Sequence, residues 1–159
     1  MNVATGTVAR RDLKEDILNE ATRLFAAQGF SGTSVREVVE ACGCTKPALY
    51  YYFDNKVQLF RAVVDRQMER MNSILEALHV DEPGPVRPRI LGALGMVTRY
   101  VKQNPDGLRL LHRVRIRTDD DQPEFDFSVI TEQQMRLVEE LVCHGIAAGE
   151  VRPNVNPSD

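Results

Sequence analysis

The chain has 159 residues, 43% of them hydrophobic and 27% charged, with a net charge of −3; this fits one folded domain, or a small module fused to a larger one, and excludes a chain disordered throughout. No apolar run approaches the ~18 residues needed to span a bilayer, and MNVATGTVARRDLKED lacks an apolar signal core, so a cytoplasmic protein with no membrane association is expected. The charge is uneven: residues 1–70 hold ten Lys/Arg against nine Asp/Glu, residues 71–118 eight against four, and residues 119–159 two against ten, so the acidity belongs to the last third and leaves DNA binding by the first third open.

The periodicity is helical throughout, with no clear period-2 strand. Asp12 and Glu15 have the form of a capping box, and Leu13, Ile17, Ala21, Leu24 and Phe25 make one apolar stripe that Gly29 ends. After FSGTS, Ser34 and Glu37 repeat the capping pattern before a short helix with Val35, Val38, Val39 and Cys42, stopped by Gly43. Thr45 caps a third helix, with Pro47 tolerated in its first turn. Asp54 and Asn55 break the pattern. A long helix follows, with Val57, Phe60, Val64, Met68 or Met71, Leu75 and Leu78 near one face; at two dozen residues it reaches roughly 35 Å, longer than a three-helix head requires.

DEPGPVRP (81–88) reads as a turn-forming linker, followed by helices from about Val86 to Gln103 and from Pro105 to about Arg117, then the polar loop TDDDQP. A last strong helix runs from about Glu124 to Ala148, with Ile130, Leu137, Val138, Leu141 and Val142 on its apolar face, closed by Gly149. Asn156 to Asp159 resembles the cap of one more helix.

The second and third helices, separated only by the turn at Cys42, Gly43 and Cys44, form a helix-turn-helix pattern. In that motif the later helix presents its N-terminal residues to base edges. Here these are Thr45, Lys46, Pro47 and Ala48: the lysine can donate to guanine O6 or N7, the threonine can reach a base or a phosphate, and Pro47 and Ala48 can meet a thymine methyl. Three of the four tyrosines stand together at Tyr50, Tyr51 and Tyr52. Successive helical residues lie about 100° apart, so the three cannot all face one core. At least two are expected on phosphates with Lys56, and one ring is expected to be structural. Thr33, Ser34 and Arg36, at the positive end of the second helix, face the other side of the groove.

The stretch from Ile17 to Phe60 resembles the DNA-binding domain of TetR-type (tetracycline-repressor-like) transcriptional regulators, through its LF…GF…TSV start and its TKPALYYYFDNK core. The resemblance implies an all-α fold with a three-helix head, a long connecting fourth helix and a helical ligand-binding body. Members are usually homodimeric repressors that bind palindromic double-stranded operator DNA and leave it when a small-molecule effector enters the body; the resemblance also implies Val35 as an operator-contacting position beside Ser34 and Arg36. The expected division is an N-terminal arm (1–11), a DNA-binding head (12–56) and a regulatory and dimerisation region (57–159). Family members generally continue into two further helices that form the dimer interface; their absence from this sequence is expected to reflect truncation, or dimerisation through other helices.

Where the family has alanine and a small aliphatic residue, this chain has Cys42 and Cys44. They read first as apolar turn residues, because a C-x-C disulfide is strained, with a thiol sensor as the alternative. Cys143 and His144 have no partner pair at zinc spacing, so no metal is expected, and no cofactor either. Met96, Tyr100, Leu111, Phe125, Phe127, Met135 and Val138 are the candidate effector-pocket residues, against an ordinary core reading of each. Arg109, Arg113, Arg115 and Arg117, with His112, read as a solvated face pairing with the acidic last third, with an anionic effector or an intersubunit contact as alternatives. The competing function is a helical ligand-binding or protein-interaction module without effective DNA binding. No nucleophile elbow, phosphate loop or zinc-helix motif supports an enzyme.

Overall fold

The first helix starts where its cap chemistry places it: the Asp12 carboxylate accepts from the Lys14 N–H at 3.1 Å, and α1 runs Leu13–Gly32. The computed structural model describes residues 12–76, 85–117 and 119–152; the 1–11 arm, Leu78 of the expected long helix, the first half of the 81–88 turn and the Asn156–Asp159 cap pattern lie outside them. At Gly29 (φ +81°) the backbone leaves helical geometry as the sequence anticipates, but one further turn follows to Gly32. The stripe does its work in the core: Ile17, Ala21, Leu24 and Phe25 are buried, and Leu13 is half-buried.

The remaining helices are α2 (Val35–Cys42), α3 (Lys46–Tyr52), α4 (Lys56–Glu76), α5 (Val86–Gln103), α6 (Pro105–Arg115) and α7 (Ser128–Ala147), with no strand among the described residues. Each short head helix is closed by local hydrogen bonds. Ser34 and Glu37 exchange both bonds of a capping box at 3.2 and 2.7 Å; Thr45 Oγ1 accepts from Ala48 N–H at 3.3 Å; Asn55 Oδ1 accepts from Gln58 N–H at 2.9 Å. Such caps contribute about 1 kcal/mol each, which matters for helices of eight and seven residues that are too short to hold in isolation.

One hydrophobic core joins the head to the rest of the chain. Val38 of α2, Leu49 and Phe53 at α3, and Leu59, Phe60, Val63 and Val64 of α4 close on the α1 stripe, and Leu110 and Val114 of α6 complete it. Packing therefore continues past residue 56. Phe60 is its aromatic hub, edge-on to Phe25 (4.8 Å between centroids), Phe30 (5.0 Å) and Phe125 (5.8 Å). Polar ties reinforce it: buried Arg66 reaches Glu15 at 2.9 Å and Thr22 at 3.0 Å, and buried Gln67 accepts from the Tyr100 hydroxyl at 2.9 Å.

Away from this core, α5 and α7 share a smaller cluster around Val86 and Leu141. Glu150, just past α7, accepts from the Val86 and Arg87 N–H groups at 3.0 and 2.9 Å and so caps the start of α5. Two boundaries differ from the sequence pattern. Helix α6 stops at Arg115, with Arg117 at φ +48°. Helix α7 begins at Ser128 rather than Glu124, because Phe125 turns back to Phe60 and Asp126 accepts from Ser128 N–H at 2.8 Å.

Candidate nucleic-acid interface

Helix α3 is oriented by its buried residues. Leu49 is fully buried and Phe53 nearly so, which fixes the rotation of the helix and turns the opposite face outward. Lys46 and Pro47 are exposed, Ala48 is half-buried, and Thr45 is exposed while holding the N-cap. Tyr50, Tyr51 and Tyr52 are 46%, 82% and 39% exposed. None of these three rings is interior. Tyr52 is the most supported, with Tyr51 edge-on at 5.0 Å and Phe53 at 6.4 Å.

At the other helix start, Ser34 and Arg36 are exposed and Val35 is half-buried against the core. Ser34 spends its hydroxyl on the cap, and the hydrogen bonds it exchanges with Glu37 hold that carboxyl below its usual range. Arg36 pairs with Glu40 at 2.7 Å along its own helix. Thr33 requires a correction. Its side chain is buried and its hydroxyl donates to the Gly29 carbonyl at 2.8 Å, so the hydroxyl is committed to the kink and not displayed on the surface.

Lys56 sits behind this surface, half-buried, with Nζ 4.3 Å from the Phe30 ring centroid. Burial lowers its pKa, while Asp121, Asp119 and Glu37 act in the opposite direction. The acids of the 119–121 loop also grip the head directly. Asp119 Oδ2 accepts from the Phe30 N–H at 2.5 Å, Ser31 donates to Asp121, and Arg113 of α6 lies 3.8 Å from Asp119. A Cβ at Gly29 would overlap the Asp119 carboxylate, so glycine serves there for space as well as for its positive φ. This clamp joins residues about ninety positions apart in sequence, and no local pattern announces it.

The seven candidate pocket residues separate. A groove of about 520 Å³ between α4, α6 and α7 brings together Leu111, Phe127, Met135 and Val138 with Met68, Leu108 and Ile130, and with the polar His112, Arg115, Thr131 and Gln134. The other three are elsewhere. Met96 and Tyr100 border a separate depression with Arg70 and Arg99, and Tyr100 is buried with its hydroxyl on Gln67; Phe125 packs on the head core. Helical periodicity marks apolar faces without saying which ones meet, which is why the set mixes groove and core. Of the arginines, Arg109 pairs with Asp106 on its own helix at 2.9 Å, whereas Arg113 and Arg117 pair with Asp119 and Glu124 beyond it.

Among the described residues no helix is long and apolar enough to cross a membrane, and no group of three or more His, Cys, Asp or Glu side chains is placed to hold a metal.

Comparison with known proteins agrees with this geometry. Residues 17–63 match the family described as bacterial regulatory proteins, tetR family. The HTH-type transcriptional repressor ComR of Escherichia coli (strain K12) is 28% identical over 144 residues, covering 89% of this chain and 69% of that protein. An HTH-type transcriptional regulator of Bacillus subtilis (strain 168), YerO, is 33% identical over 123 residues, covering 67% of this chain and 43% of its own length. The chain thus spans less than half of that second relative. A solved structure described as a gamma-butyrolactone receptor (ArpA like protein) superposes with a TM-score of 0.73 at 19% identity, over 91% of this chain and 70% of that one, a likeness of fold.

Proposed function

The chain belongs to the tetR family of bacterial regulatory proteins, DNA-binding transcriptional regulators and not enzymes, and on that premise we propose that it is a cytoplasmic, homodimeric repressor, released from a palindromic operator by a small-molecule effector. The observation that carries the reading is α3 itself: buried Leu49 and Phe53 fix the helix while Lys46, Pro47, Tyr50 and Tyr51 project outward. In this reading Lys46, Thr45, Pro47 and Ala48 meet base edges, and Tyr50, Tyr51, Tyr52, Ser34, Arg36 and Lys56 hold phosphates. Val35 supports that surface from its half-buried position.

The groove between α4, α6 and α7 takes the effector. Its walls are mainly aliphatic, with Arg115, His112, Thr131 and Gln134 as polar groups, which suits a largely apolar molecule carrying one hydrogen-bond-accepting or anionic end. A protein of like fold is described as a gamma-butyrolactone receptor, which supports the reading that the groove takes a small molecule. Helices α4 and α6 line the groove and also pack on α1, and the 119–121 loop grips the kink at Gly29. An effector that wedges α6 away from α1 therefore favours a head disposition that no longer matches both half-sites, a population shift set by its differential affinity for the two states.

The test is selection of bound sequences from random duplex DNA by the purified protein, alone and with candidate effectors. An enriched palindrome, lost when an effector is added, is expected. Failure to enrich any sequence would favour the helical interaction module instead.

A further inference from the structure

The turn between α2 and α3 places two thiols together. Cys42 Sγ and Cys44 Sγ are 2.8 Å apart, both half-buried and packed against the head core, with Gly43 between them at φ +66°. Nothing surrounds the space where a Gly43 side chain would project, so the turn has room to adjust. We propose that Cys42 and Cys44 are a reversible two-electron oxidation site, closing to a disulfide with a hydroperoxide as oxidant, and that the closed form binds the operator more weakly; the second half rests on the operator reading above.

The chemistry balances within the pair. One thiol, as thiolate, attacks the peroxide oxygen; the O–O bond breaks, an alcohol leaves (water, when the oxidant is hydrogen peroxide), and the sulfur becomes a sulfenic acid. The second sulfur then displaces water and forms the S–S bond, so that the two thiols give up two electrons and two protons. Cys44 is pushed up to about 11 by burial and by its neighbour Cys42, and so keeps its proton. A disulfide across one intervening residue is strained, and strained disulfides are oxidising and easily reduced. The pair is therefore expected to rest as thiols at a cytosolic redox poise and to return there when the oxidant is gone.

Position supplies the effect on DNA. Cys44 N–H donates to the Val39 carbonyl at 3.1 Å and Gly43 N–H to Glu40 at 3.3 Å, and these two bonds close α2. Thr45, the cap of α3, is the next residue, and Lys46 follows it. Drawing the sulfurs together re-aims Cys44 and pulls on that cap, while Leu49 keeps the far end of the helix anchored. The N-terminal turn, which carries the base-reading groups, is the part displaced.

The full chain, reduced and then treated with hydrogen peroxide, tests this by iodoacetamide labelling with mass spectrometry and by binding to the selected operator. Expected are loss of labelling at Cys42 and Cys44 with a linked peptide between them, at least about tenfold weaker binding in line with ordinary coupling factors, and recovery of both after reduction. C143S should respond like wild type. C42S and C44S should bind as the reduced protein does and ignore the oxidant, with C42A and C44A in reserve should either serine variant fail to fold. A pair still labelled after oxidation, a disulfide only between molecules, or an intramolecular disulfide without loss of affinity each overturns the proposal. If reduced wild type binds no duplex, the operator reading and the proposed effect on binding fail together, and labelling alone decides whether the oxidation site stands.

Discussion

The head and the body expose different chemistry. In the head, every large aliphatic residue of α3 is inward, and what is left outside is lysine, proline and phenol. In the body, Leu91, Leu94, Leu108, Met135 and Val138 all remain substantially exposed. The first surface matches a wet, charged partner that is read by hydrogen bonds, and the second matches apolar ligands or apolar helices. Fixed caps and a shared aromatic core make the first a rigid reader. Two of the helices that line the groove in the second, α4 and α6, also pack on α1, so under the proposed function a ligand held there is placed to act on the head.

Substitutions that separate the two regions should differ most in stability. Phe60→Ala removes the ring that meets Phe25, Phe30 and Phe125, and should cost about 3–5 kcal/mol in urea unfolding; a loss under about 0.5 kcal/mol, the size of an ordinary surface change, would break the contrast. Gly29→Ala places a methyl group at positive φ and against Asp119; a loss of about 1–3 kcal/mol is expected from the strain, together with weaker operator binding. An unchanged melting temperature would show that the kink and its clamp are not structural.

The interface itself is sharpened by two substitutions of different kinds. Lys46→Ala should lose about 1–3 kcal/mol of discrimination at one base position, seen as relaxed preference in the selected sequences. Tyr51→Phe should weaken binding by about 0.5–1.5 kcal/mol across all sequences alike. Interchanged patterns would mean that the lysine holds phosphate and the tyrosine reads bases. The smallest stability effect belongs to the body: Met135→Ala, at a half-exposed groove position, should change unfolding by less than about 0.5 kcal/mol while reducing effector affinity in calorimetric titration.

Legibility in the sequence followed the range of the interaction. The caps at Asp12, Ser34 and Thr45 are visible because donor and acceptor lie within three residues of each other. The alternation of inward Leu49 and Phe53 with outward tyrosines follows from helical spacing. Thr33 misleads because a hydroxyl beside a helix start resembles a phosphate ligand; its bond to a carbonyl four residues earlier is the signal that reassigns it. Phe125 and Phe127 fall inside the helix expected from Glu124, yet the chain is not helical there, and Phe125 packs on Phe60. The Asp119 clamp and the groove depend on which distant faces meet, and periodicity within single helices carries no such information.

The most direct test of the central claim is an anisotropy titration of the selected operator with wild type and with the K46A/Y51A/K56A variant, whose fold is checked by circular dichroism. Tight wild-type binding and loss of sequence-specific binding by the folded variant are predicted. Equal affinity of the two proteins for that operator would contradict the assignment of α3 and its flanking lysine as the DNA-reading surface.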